Sequence, residues 1–195
     1  MKDIDQLILA HESTVKFSRS QAVFRKSVNK SLEGVVAALD ALVRKPGRGR
    51  VAQVDAINRA SIVLLSAHLQ GYVEELHREA ATILLSSRVS DVECLIKITS
   101  SQFRNPTANA VTSLFNTIGI NNIFVAVKWQ KARSDSIQRR LTDLIILRNK
   151  IAHGDLEYVT KERVVRSRKF IERLAEKLDE VIGVELEQLM KKKPW

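Results

Sequence analysis

A chain of 195 residues is long enough for one sizeable core and short for two comfortable domains. Apolar residues make up 45% of it, charged residues 28% and aromatics only 5%, with seven glycines and three prolines, a profile of long helices rather than many short strands. The formal net charge of +10 favours encounter with polyanions, nucleic acid foremost, and the single cysteine, Cys94, excludes an internal disulfide framework.

The opening stretch "MKDIDQLILAHEST" has no apolar run of signal-peptide length, and no segment approaches a membrane span, so the cytoplasm is the expected compartment and no membrane partner is expected. From Asp3 to about Val43 the pattern predicts one long helix, or two in line, with Leu32, Val35, Val36, Leu39 and Leu42 at helical spacing. "RKPGRGR" then ends it with Pro46, Gly47 and Gly49, predicting a basic loop. A second helix is predicted from about Val54 to Ser86. Ile62, Leu65, Leu69, Val73, Leu76, Ala80 and Ile83 share one side, and Val63 and Leu64 widen the stripe until the helix is apolar nearly all round, as a central helix of a bundle is. Gly71 inside it predicts a close helix approach.

"SDVE" reads as a capping box, Ser90 with Glu93, opening a third helix that runs to about Phe103 and is broken at "RNP". A shorter helix to about Ile118 is closed by Gly119, and "INNIFVAVKW" is ambiguous. Ser134 or Asp135 is the expected cap of the next helix, and Gly154 fits the position just past its end. The last helix spans about Thr160 to Met190, with Val164, Phe170, Ile171, Leu174, Leu178, Val181 and Ile182 inward, and "KKKPW" is a solvated tail. The sum is a single all-α domain over residues 1–195: an up-and-down helical bundle of long helices with short irregular helices in the middle.

The helix before Gly154 carries the chemistry. Leu141, Leu144, Ile145, Ile151 and Ala152 share one face, yet Arg148 sits in the middle of it, while Asn149 and His153, four apart, stack along the neighbouring edge. Arg148 and His153 are separated by roughly 140° around an ideal helix, so both border one groove only if the last turn loosens. One reading is structural. Arg148 would pair with a carboxylate of a neighbouring helix, Glu74, Glu75 or Glu79, because a buried guanidinium without a partner is costly, and His153 would be a histidine favoured by the helix C-terminus.

The other reading is a phosphate site. Arginine offers a planar, permanently charged fork for phosphate oxygens, and histidine moves a proton near neutral pH. Together they suffice for RNA strand cleavage without a metal: a base takes the proton of a 2′-hydroxyl, the oxygen attacks the adjacent phosphorus, and the guanidinium stabilises the equatorial oxygens. The leaving 5′-oxygen needs an acid. One chain offers one such histidine, and a twofold homodimer would supply the second across its axis, giving a composite active site. The basic stretches "KWQKARSDSIQRR" and "RKPGRGR" would hold the RNA backbone or simply solvate the surface. His11, His68, His77 and His153 show no metal-binding spacing, no glycine-rich phosphate loop occurs, and neither metal nor cofactor is expected.

"RNKIAH" matches the R-x4-H motif of the HEPN (higher eukaryotes and prokaryotes nucleotide-binding) superfamily, and more of the chain resembles its RiboL-PSP-type branch. The similarity extends over "RASIVLLSAHLQGYVEELHREA", "NPTANAVTSLFNTIGI" with Trp129 shortly after, and "RRLTDLIILRNKIAHGD", or roughly residues 55–190. The resemblance implies an all-α bundle, commonly a dimer, with metal-independent endoribonuclease activity, serving as a toxin of a toxin–antitoxin pair or as an anti-phage defence effector with a partner protein. It implies catalytic roles for Arg148 and His153, with Asn149 orienting them or the phosphate. It also implies a polar residue of the second helix near the site, for which His68, Gln70 and Glu74 are the candidates. Toxins of this superfamily silenced by nucleotidyltransferases often carry a tyrosine two residues after the histidine. Here Asp155 stands there and the nearest downstream phenol is Tyr158. The alternative within the same resemblance is a non-catalytic module that binds RNA or nucleotide, or scaffolds another protein.

Overall fold

The computed structural model of the chain describes residues 50–85, 91–130, 132–191 and 193–194, together with Gln21, Val23, Phe24, Lys26 to Val28, Lys30 and Gly34 of the N-terminal stretch. From residue 50 on, the described residues form α1 (Arg50–Leu85), α2 (Val92–Ser100), α3 (Ala108–Asn116), α4 (Ile123–Ala126), α5 (Ser134–Ala152) and α6 (Lys161–Met190). The fold is all-α, and among the described residues the nearest thing to a strand is an isolated bridge between Trp129 and Ala132.

Helix α1 is the hub. Ile62, Leu65, Leu69, Val73, Leu76 and Ala80 are buried along one stripe, and the helix packs against α2, α3, α5 and α6, as its near-continuous apolar surface requires. Helix α6 lies along it and buries Val164, Phe170, Ile171, Leu174, Leu178 and Ile182, with Val181 only partly covered. Tyr72 spans the α1–α6 seam by donating its hydroxyl to the Ala175 carbonyl at 2.8 Å. Burial first, and then the nearby Asp179 carboxylate, push its phenol well above the usual tyrosine range, so it stays a donor. The outward side of α6 carries Arg168–Glu172, Arg173–Glu176 and Lys177–Glu180 pairs, exposed contacts each worth about 1 kcal/mol or less. The described positions between 21 and 34 are helical, and Phe24 rests on Tyr72 with ring centroids 4.9 Å apart. The rest of the helix expected over 3–43, and the loop expected at 44–49, lie outside the described residues.

Several local expectations are corrected. Helix α1 begins at Arg50 rather than near Val54. Gly71 marks no close approach among the described residues: it is exposed, and a Cβ there would meet none of them within 4 Å. The cap of α2 is Asp91, whose carboxylate accepts from the Cys94 amide at 2.8 Å, one residue past the expected Ser90. Helix α5 starts without a side-chain cap, because the Ser134 hydroxyl instead donates to the Phe124 carbonyl of α4 at 2.5 Å. Ala152, expected on the apolar face, is exposed.

The end of α5 follows the expected pattern closely. Gly154 takes φ 91°, its amide donates to the Ile151 carbonyl at 3.1 Å, and the Asp155 amide donates to the Lys150 carbonyl at 3.0 Å. These two bonds satisfy the terminal carbonyls of the helix in a Schellman arrangement. Since a Cβ at 154 would meet no neighbour, replacement there carries backbone strain alone. Gly154→Ala is expected to cost about 1 kcal/mol, read as a lower urea midpoint at unchanged slope.

His77 is the one buried histidine among the described residues. Its ring stands edge-on to Phe115 at 5.6 Å, and Nε2 lies 3.2 Å from the Thr117 hydroxyl. Thr117 gives its own proton to the Leu114 carbonyl at 2.6 Å, so Nε2 is the protonated nitrogen and donates, leaving Nδ1 buried without a partner. Burial lowers its pKa from 6.5 to about 4. An unfolded chain binds this proton near pH 6.5, so the stabilising contribution is whole above that pH and is lost as pH falls towards 4. The loss should reach about 2–3 kcal/mol. Subtracting the stability profile of His77→Gln, which keeps a donor and does not titrate, should isolate that fall between pH 7 and pH 4.

Candidate functional site

Helix α5 positions the motif residues, and three turns of buried anchors hold it: Ile137, Leu141, Leu144, Ile145 and Leu147. Arg148 emerges at the edge of this apolar face and is half-buried. Its Nη1 donates to Asn149 Oδ1 at 2.9 Å and to Asn105 Oδ1 at 3.2 Å. Both acceptors are neutral amides. Among the described residues no carboxylate pairs with Arg148, which removes the ion pair expected on the structural reading. Glu74 accepts instead from Gln70 at 3.0 Å, and Glu75 pairs with Arg78 at 3.5 Å. The guanidinium is therefore fixed in direction while its charge stays uncompensated, the condition under which it binds an incoming anion best.

Asn105 is the residue that sequence reasoning missed. It sits in the bend between α2 and α3, before the buried Pro106, and its carbonyl accepts from the Thr107 amide at 2.8 Å while Thr107 caps α3. The same bend meets α1. Gln70 Nε2 lies 3.5 Å from the Phe103 carbonyl, two residues before Asn105 in the chain, and donates to Glu74 at 3.0 Å. His68 faces elsewhere, with Nδ1 3.1 Å from the Ser27 hydroxyl. The signal for Asn105 was present in "RNP": a polar residue in a proline-fixed bend has an amide free to reach outward.

His153 occupies the C-cap of α5 and is exposed. Its amide donates to the Asn149 carbonyl at 2.9 Å, a regular i→i−4 bond, so the last turn does not loosen. The imidazole consequently projects roughly 140° around the axis from Arg148. Among the described residues no side chain hydrogen-bonds to that imidazole. One chain thus brings Arg148, Asn149 and Asn105 together and leaves His153, on the Asn149 side of the helix, well around the axis from the guanidinium.

The surface on the His153 side is apolar where solvent would favour polar groups. Ile146, seven residues before His153 and hence on the same helix face, is 51% exposed, and Leu156 and Tyr158 in the following segment are 90% and 71% exposed. Lys150 pairs with Glu157 at 2.7 Å and steadies that segment, while the Asp55 carboxylate accepts from the Val159 amide at 3.1 Å and Asn58 donates to the Val159 carbonyl at 2.8 Å. Among the described residues no group of three or more His, Cys, Asp or Glu side chains is arranged to hold a metal ion, and no helix is long and apolar enough to cross a membrane.

The RiboL-PSP-HEPN family model matches residues 26–184. Neither a curated protein nor a solved structure matches the chain.

Proposed function

Because the chain belongs to the RiboL-PSP-HEPN family, we propose that it is a metal-independent endoribonuclease whose reaction centre forms between two copies of the chain. The observation that carries this reading is the state of Arg148: a half-buried guanidinium oriented by two neutral amides and neutralised by no described carboxylate. Such a group suits a phosphodiester, whose charge would complete the site. The exposed Ile146, Leu156 and Tyr158 beside His153 offer the apolar surface a second copy would cover, which would bring the two imidazoles towards one another.

In this mechanism one His153 takes the proton from a ribose 2′-hydroxyl, and the freed oxygen forms a bond to the neighbouring phosphorus. Arg148, steadied by Asn149 and Asn105, stabilises the negative charge that builds on the non-bridging oxygens. The bond from phosphorus to the 5′-oxygen breaks, and the second copy's histidine, in its protonated form, gives that oxygen a proton. The products are a 2′,3′-cyclic phosphate and a 5′-hydroxyl. A protein with this activity would serve as a toxin or an anti-phage defence effector held in check by an antitoxin or another partner protein.

The test is incubation with mixed RNA in excess chelator, with product ends identified chemically. Cyclic phosphate ends, and resistance of strands carrying a 2′-deoxyribose at the cut position, are expected. Cutting only after magnesium is added would overturn the proposal. The regular last turn, which carries the imidazole away from Arg148 with no described side chain hydrogen-bonded to it, favours a second reading: a non-catalytic module that binds RNA or scaffolds a partner. That reading requires salt-sensitive RNA binding with no new ends formed.

A further inference from the structure

Away from Arg148 and His153, a cleft of about 520 Å³ lies between α5 and the first turns of α6. Arg140 and Asp143 line it from α5, and Arg163, Arg166, Ser167 and Phe170 from α6. Three guanidiniums therefore face one carboxylate. Arg140 is held in place on two sides: its guanidinium carbon lies 4.6 Å from the Phe170 ring centroid, and Nη2 donates to the Arg166 carbonyl at 3.0 Å. Arg166 spends only Nε, 3.3 Å from the Glu162 carbonyl, and keeps its terminal nitrogens for the cleft. Among the described residues Arg140, Arg163 and Arg166 form no ion pair, although α6 pairs most of its later basic residues with glutamates.

Like charges held side by side repel, and the single carboxylate lining the cleft, Asp143, does not balance three guanidiniums. Burial and the neighbouring Arg166 charge both lower the Arg140 pKa. An anion entering the cleft would relieve that repulsion. Phosphate oxygens match what is offered: planar guanidinium forks and the Ser167 hydroxyl. The Phe170 ring, buried and already stacked by Arg140, leaves no aromatic face for a base. The cleft is suited to a backbone rather than to nucleobases.

We propose that this arginine cleft binds phosphodiester groups of a single RNA strand, as a docking subsite separate from Arg148 and independent of base identity. The inference rests on the RNA reading above for its ligand. Arg140 and Arg148 are eight residues apart on one helix, about 12 Å along its axis, so a strand seated in the cleft continues towards the motif.

The experiment is fluorescence anisotropy of a labelled 12-nucleotide RNA in chelator, with His153→Ala protein so that nothing is cut. Arg163→Ala/Arg166→Ala is the informative variant, since both side chains are exposed, and Lys97→Ala/Lys193→Ala removes equal charge at exposed positions elsewhere. The cleft pair is expected to weaken binding at least tenfold and to flatten the salt dependence by about 0.7 in log–log slope for each phosphate left unneutralised. The control pair should change affinity less than threefold, with poly(U) and mixed sequences behaving alike. Equal weakening by both pairs would mean diffuse attraction and would overturn the cleft. Displacement of the RNA by low-millimolar inorganic phosphate or AMP would overturn the strand and make the site one for a free phosphate or mononucleotide. RNA binding unaffected by the cleft pair sinks the cleft alone, whereas no RNA binding by the parent protein sinks the proposed function along with it.

Discussion

His153→Ala should lower RNA cleavage by about three orders of magnitude or more, in the range of 10²–10⁴ for each general acid or base removed, while leaving the helical spectrum and thermal midpoint close to the parent's. The structure explains why fold and activity should separate so cleanly. The side chain is exposed, touches no described hydrogen-bond partner, and contributes to the α5 terminus only through its backbone, which alanine keeps. A histidine retained merely for helix-end electrostatics would instead cost about 0.3–1 kcal/mol of stability and leave cleavage intact. Full cutting by this variant would end the enzymatic reading. Asn105→Ala makes a graded companion: without one of its two acceptors, Arg148 should support a slower cleavage rate rather than none.

Phe115→Ala is expected to be the most destabilising of these substitutions, at about 3–5 kcal/mol, measured by urea unfolding. Phe115 is fully buried in α3, beneath the edge-on His77 ring of α1. Removing it would leave a cavity where α1 meets α3 and would deprive the buried His77 of its best-fitting neighbour. Helix α3 follows directly on the bend that carries Asn105, capped by Thr107. A second effect is therefore expected. At temperatures where the variant is still folded, its cleavage should fall towards that of Asn105→Ala, because the amide anchoring Arg148 is then held less firmly. A loss below 1 kcal/mol would show that α3 is peripheral to the core.

The long helices were legible because their signal is repeated. Helices α1 and α6 each carry an apolar stripe over many turns, and a misread residue or two does not disturb it. Short elements have no such redundancy. The capping expectation fell on Ser90 because two good cap residues stand side by side, and only the chain path selects Asp91. Ser134 is likewise a good cap by type, yet its hydroxyl finds a carbonyl ten residues back on α4. Helix α4 and the bridge at Trp129 are local folds set by what they pack against, which no periodicity reports.

The same contrast runs through the candidate site. Arg148, Asn149 and His153 were legible as a cluster because a charged residue interrupts an apolar face beside a helix stop. Their relation was not, since it depends on whether the final turn keeps its i→i−4 bond. Asn105 reaches Arg148 from 43 residues away in the chain, a separation at which spacing carries no information. Arg163 and Arg166 carry no motif, and only the fold sets them opposite Arg140.

The divergence of guanidinium and imidazole around α5 bears on dosage. On the proposed mechanism an isolated chain carries half of what the reaction needs, so turnover per molecule should climb with protein concentration and collapse on dilution below the dissociation constant of the pair. A cell making such a chain at a trickle would tolerate it, and harm would begin abruptly once copies accumulate enough to meet.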